Sequence, residues 1–99
     1  MQDGTVTGSI ASAEAGHRMP LGLARKGFRG HIHAIAAADV PSGIPAAELE
    51  RRLLELGFVE GARVEVLHEG PVRSDPIAVR VNNSVVAVRR REAMAILVS

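Results

Sequence analysis

A chain of 99 residues with 46% hydrophobic side chains is long enough for one domain and too short for two independent ones. Twelve basic against eleven acidic residues leave a formal net charge of +1, too little to draw the whole molecule onto nucleic acid or anionic lipid, and two phenylalanines without tyrosine or tryptophan offer almost nothing for bases to stack on. The lack of cysteine excludes disulfides, thiolate nucleophiles and cysteine-rich zinc sites, and no apolar run approaches the roughly 18 residues of a spanning helix or resembles a secretory signal, so a cytoplasmic protein without direct membrane insertion is expected.

Residues 1–18 are rich in Gly, Ser, Thr and Ala and show no period, which predicts a disordered tail ahead of a folded domain over 19–99. A short helical turn through Ala24 is expected to stop at Gly27. From His31 onward Ile32 and Ile35 are apolar at a spacing of three, which breaks strict alternation and predicts a bulged strand. Asp39, Pro41, Ser42 and Gly43 mark a surface loop. Pro45 then suits the first position of a helix in which Ala46, Leu49, Leu53 and Leu56 form one apolar stripe and Gly57 supplies a left-handed cap. Glu48 with Arg52 and Arg51 with Glu55 are opposite charges at i,i+4 on its solvated side.

After Gly57 the period changes to two. Val64 and Val66 alternate with Arg63 and Glu65, and Ile77, Val79 and Val81 alternate with Ala78 and Arg80; turn residues bound each run. Asn82 and Asn83 suit a tight hairpin turn before residues 85–88, so three consecutive antiparallel strands are expected. Residues 89–94 read as one helical turn leading into a last strand at 95–98. About five short strands with one inserted helix predict a mainly β domain, closed into a small barrel so that no edge is left unpaired.

The stretch Leu53-Leu54-Glu55-Leu56-Gly57-Phe58-Val59-Glu60-Gly61-Ala62-Arg63-Val64-Glu65-Val66 resembles the helix-to-strand signature of the FeoA family, small cytoplasmic proteins that accompany the FeoB ferrous-iron transporter. Asp75-Pro76-Ile77 with Val79 and Val81, then Val86, Val88, Arg89 and Arg90, then Ala93 and Ile96, continue that family's order, and Gly27, Gly30 and Ile32 match its first strand. Glu60 stands where proline is usual and Ser74 where glycine is usual. The resemblance implies an SH3-like barrel and a protein of ferrous iron uptake that binds the cytoplasmic GTPase part of a FeoB-like transporter.

The residues themselves suggest how. Leu53, Leu54, Leu56, Phe58 and Val59 are more apolar side chains than one stripe absorbs, because Leu54 points about 100° away from Leu53. Leu53, Leu54, Phe58 and Val59 are therefore candidate partner-binding anchors. Arg89, Arg90 and Arg91, joined by Arg80, form the densest charge run and suit an acidic partner surface. His31 and His33 stand at i,i+2 and could hold a divalent ion weakly if His68 or Glu69 added a third ligand. The resemblance extends to similar barrels attached to iron-dependent repressors, and it is this that implies a metal-sensing module as the alternative function. No phosphate loop, His-Glu-x-x-His helix or activated serine is present, so neither an enzyme nor a resident cofactor is expected. A homo-oligomer is compatible with everything above.

Overall fold

The computed structural model describes residues 18–99; the tail expected over 1–18 lies, but for Arg18, outside the described residues. Six strands form one antiparallel sheet: β1 (Met19–Pro20), β2 (Arg29–Ile35), β3 (Arg63–Val72), β4 (Asp75–Val81), β5 (Ser84–Val88) and β6 (Ile96–Val98). The order across the sheet is β1-β6-β2-β3-β4-β5. Between β2 and β3 lies α1 (Ala46–Glu55), and between β5 and β6 the single turn α2 (Arg90–Ala93). Short 3-10 turns follow β1 at Leu21–Leu23 and β2 at Ala37–Asp39.

The period-two reading holds for residues 63–66 and 77–81, while the register of β3 against β4 shifts between Val66 and His68 and again between Glu69 and Val72. Val64, Val66, Ile77, Val79 and Val81 point into the core, while Arg63 and Arg80 between them stay exposed. Asn82 takes a φ of 51° in the two-residue turn from β4 to β5. The break in alternation along β2 is a real irregularity, since its register against β6 shifts between Ile32 and Ala34.

Helix α1 buries Leu49 and Leu53 completely; Leu56 packs half-buried against the core, and Ala46, in the first turn, stays exposed. Its last turn explains the next stretch of chain. Gly57, at φ 104°, donates to the Leu54 carbonyl, and Phe58 donates to the Leu53 carbonyl. This paired cap sets the side chains of residues 53 and 58 against each other beneath the turn. Both are fully buried, each contributing about 1.5–3 kcal/mol of apolar transfer.

Closure of the sheet is the expectation that fails. β1 and β5 are its two ends and do not pair. A strand of two residues spans only about 7 Å, too little ladder to zip a barrel shut. The gap is covered instead by α2, which packs on the Leu21–Leu23 turn, where Leu21 is fully buried, and on β4, while α1 packs on the Ala37–Asp39 turn. No helix among the described residues is long and apolar enough to cross a membrane.

Candidate functional site

The cap that ends α1 sorts the four apolar anchors into two pairs. Leu53 and Phe58 have no exposed surface, so they cannot touch a partner; this corrects the expectation for those two. Leu54 and Val59 are 43% and 42% exposed on the outer side of the same turn. Among the described residues, the other large exposed apolar side chains are Leu23 on the Leu21–Leu23 turn, Val72 beside the β3–β4 turn and Val85 on β5. Leu54 and Val59 thus form an apolar corner whose backbone is fixed by the buried pair beneath it.

The arginine run divides as well. Arg89 and Arg91 are exposed. Arg90 is turned inward, its side chain only 18% exposed. Its guanidinium donates to the carbonyls of Gly22 (3.0 Å), Ala24 (2.6 Å) and Ser74 (2.8 Å) and to the Glu69 carboxylate (2.8 Å). Its backbone N–H is taken by the Asp75 carboxylate at 2.9 Å. Arg90 therefore ties the first turn, the β3–β4 hairpin and α2 together, with four of its five guanidinium N–H groups used inside the protein rather than for steering a partner. The Arg25 guanidinium bonds the same Glu69 oxygen at 3.0 Å. That bond, outweighing the opposite effect of burial and helped by Arg25's charge, the Lys26 amide and Arg90, holds the Glu69 carboxyl below its ordinary range.

Arg80 does not join this run either. It forms an ion pair with Glu65 at 3.1 Å, and Arg29 approaches the same carboxylate at 3.5 Å. Arg29, Glu65 and Arg80 are direct cross-strand partners on β2, β3 and β4. With His31, Arg63 and Asn82 they line an open groove of about 940 Å³. Three arginines on three strands carry no local pattern, and only the strand register reveals the groove. A smaller, apolar cleft of about 410 Å³ lies between Pro20, Val40, Met94 and Leu97, with Arg91 on its wall.

Both histidines stand beside Ser99: His31, exposed on the groove opposite Arg63, exchanges backbone hydrogen bonds with Ser99, and the His33 ring is hydrogen-bonded to the Ser99 hydroxyl. His68 and Glu69 pair with Ala78 and Ile77 near the far end of β3, and Glu69 is held by Arg25 and Arg90. Among the described residues no three His, Cys, Asp or Glu side chains gather to hold a metal ion.

Comparison with solved structures gives the same architecture. The FeoA protein of Chlorobium tepidum is 38% identical with a TM-score of 0.64, the alignment covering 81% of this chain and 68% of that one. The zinc-complexed FeoA of Stenotrophomonas maltophilia, described as a prokaryotic SH3 domain protein, is 28% identical with a TM-score of 0.67, covering 82% and 89%. A manganese-dependent transcriptional repressor in complex with manganese, 23% identical with a TM-score of 0.68 over 84% of this chain and 36% of that one, shares the fold alone. A comparison with curated proteins finds no match. Residues 19–99, the six-stranded SH3-like sheet with its one long helix, match the FeoA domain, and the chain belongs to the FeoA family, which is linked to ferrous iron transport.

Proposed function

We propose that this protein is a non-enzymatic, cytoplasmic accessory of ferrous iron uptake that binds the cytoplasmic GTPase part of a FeoB-like transporter. Family membership supports the setting, and so does the description of the Stenotrophomonas maltophilia relative as a candidate ferrous iron transport activating factor. The observation that carries the contact surface is the exposed pair Leu54 and Val59 over the buried pair Leu53 and Phe58. Apolar anchors on a turn already held by its own core lose little conformational freedom when a partner covers them, so more of their desolvation energy appears as affinity. Arg89 and Arg91 supply exposed positive charge, and Arg52 of α1 reaches Glu92 of α2 at 3.9 Å, so the helix and the arginine run belong to neighbouring elements. Such charges act mainly on association rate and its salt dependence.

Calorimetric titration with the soluble GTPase portion of the transporter tests this reading. Saturable binding that weakens at least about tenfold in Leu54→Asp/Val59→Asp is expected, because burying either carboxylate in an apolar contact is costly. No binding by the unaltered protein, or equal binding by the folded double variant, overturns it.

A further inference from the structure

We propose that β5 is a pairing edge for a second copy of this chain, joined antiparallel across a two-fold axis at Val86. β5 ends the sheet, with β4 on one side and, among the described residues, no strand on the other. Val81 and Ser84 flank the two-residue turn and close the hairpin, and the antiparallel alternation then turns the backbone of Ser84, Val86 and Val88 toward β4 and that of Val85 and Ala87 outward. No described backbone group outside the strand ladders bonds Val85 or Ala87.

The opposite edge shows what a protected end looks like. β1 is two residues long and one of them is Pro20, which has no N–H to offer. β5 carries none of these defences. Its five residues, Ser-Val-Val-Ala-Val, include no charge and no proline, and its register against β4 runs unbroken from Ile77 and Val88 to Val81 and Ser84. Val85 is 58% exposed.

The strand is complementary to itself. With Val86 opposite its own copy, Val85 faces Ala87 and the two pairs exchange four backbone hydrogen bonds, which uses every outward donor and acceptor of both strands. Ser84 then faces Val88, and Arg89 faces the neutral Asn83, so no like charges oppose each other. Arg80, beside Val85 on β4, looks across at the neighbourhood of Ala78 rather than at its own copy. An unrelated acidic or basic peptide would find no charge on the strand to recognise.

Sedimentation equilibrium over a concentration series, combined with amide exchange of the full chain, tests the pairing. A monomer–dimer equilibrium is expected, with Val85 and Ala87 amides that exchange freely at dilution and become protected as concentration rises. Val85→Lys on the exposed side chain, and Ala87→Pro, which removes an outward N–H and no ladder bond, should each raise the dissociation constant at least about tenfold. A protein that stays monomeric to about 1 mM overturns the proposal. So does a dimer unaffected by both substitutions, or protection of Val85 and Ala87 already present at the lowest concentration, which would mean that another part of the same chain covers the edge.

Discussion

Arg90 shows how far one side chain's role can depart from its place in a run of three. Its neighbours in sequence project into solvent, while its guanidinium satisfies carbonyls from two other segments and a carboxylate from a third. Arg90→Ala leaves those acceptors half-buried without their donor and is expected to cost about 2–3 kcal/mol in urea unfolding, against changes within about 0.5 kcal/mol for Arg89→Ala or Arg91→Ala. Gly22 belongs to the same junction, because a Cβ there would collide with the Arg90 carbonyl oxygen and the Met94 sulfur. The Glu69 carboxylate adds a pH signature. Held below its ordinary value of 4.5 chiefly by the Arg25 hydrogen bond, it binds a proton less readily in the folded protein than in the unfolded chain. Its stabilisation is therefore complete above about pH 4.5 and is lost as pH falls through the lower folded value. Urea midpoints followed from neutral to acid pH should fall less steeply in Glu69→Gln than in the unaltered protein; equal slopes would show that this carboxyl does not contribute. None of this was legible along the chain, since residues 22, 24, 69, 74 and 90 meet only through the fold.

At the scale of elements, the local patterns carried most of the information. The leucine stripe of α1 without its first member Ala46, the glycine that ends it, the valine alternation of β3 and β4, the asparagine turn and the helical turn at Arg90–Ala93 all depend on neighbours within a few residues, and all are present. Helical geometry alone separates Leu53 from Leu54 and leaves Phe58 and Val59 undecided. What decides them is the contact that a left-handed glycine cap imposes between Leu53, four residues before Gly57, and Phe58, just after it. It puts Leu53 and Phe58 inside and frees Leu54 and Val59. Leu53→Ala should accordingly cost about 2–5 kcal/mol in thermal or urea denaturation, and Leu54→Ala under about 1 kcal/mol. A reversed order would undo the assignment of the exposed corner. Of the i,i+4 charge pairs, Arg51 and Glu55 meet at 3.6 Å, while Arg52 turns away to Glu92, a tertiary partner that helix periodicity does not anticipate.

For the whole molecule, the small β fold was readable because alternating strands with one helix allow few arrangements, but its closure was not. Whether a sheet zips shut depends on end-strand lengths, and a two-residue β1 carries almost no sequence signal of its own. An open SH3-like sheet leaves three different surfaces among the described residues: the apolar corner at the end of α1, the arginine-lined groove over β2, β3 and β4, and the outer edge of β5. The transporter contact proposed above falls on the first. Isotope-labelled protein titrated with the soluble GTPase portion of a FeoB-like transporter, with amide shifts followed residue by residue, tests that assignment most directly. The largest changes are expected at Leu54, Val59 and the exposed Arg89 and Arg91, whereas changes confined to the groove around Arg63 and Arg80, or none at all, would contradict a contact at the end of α1.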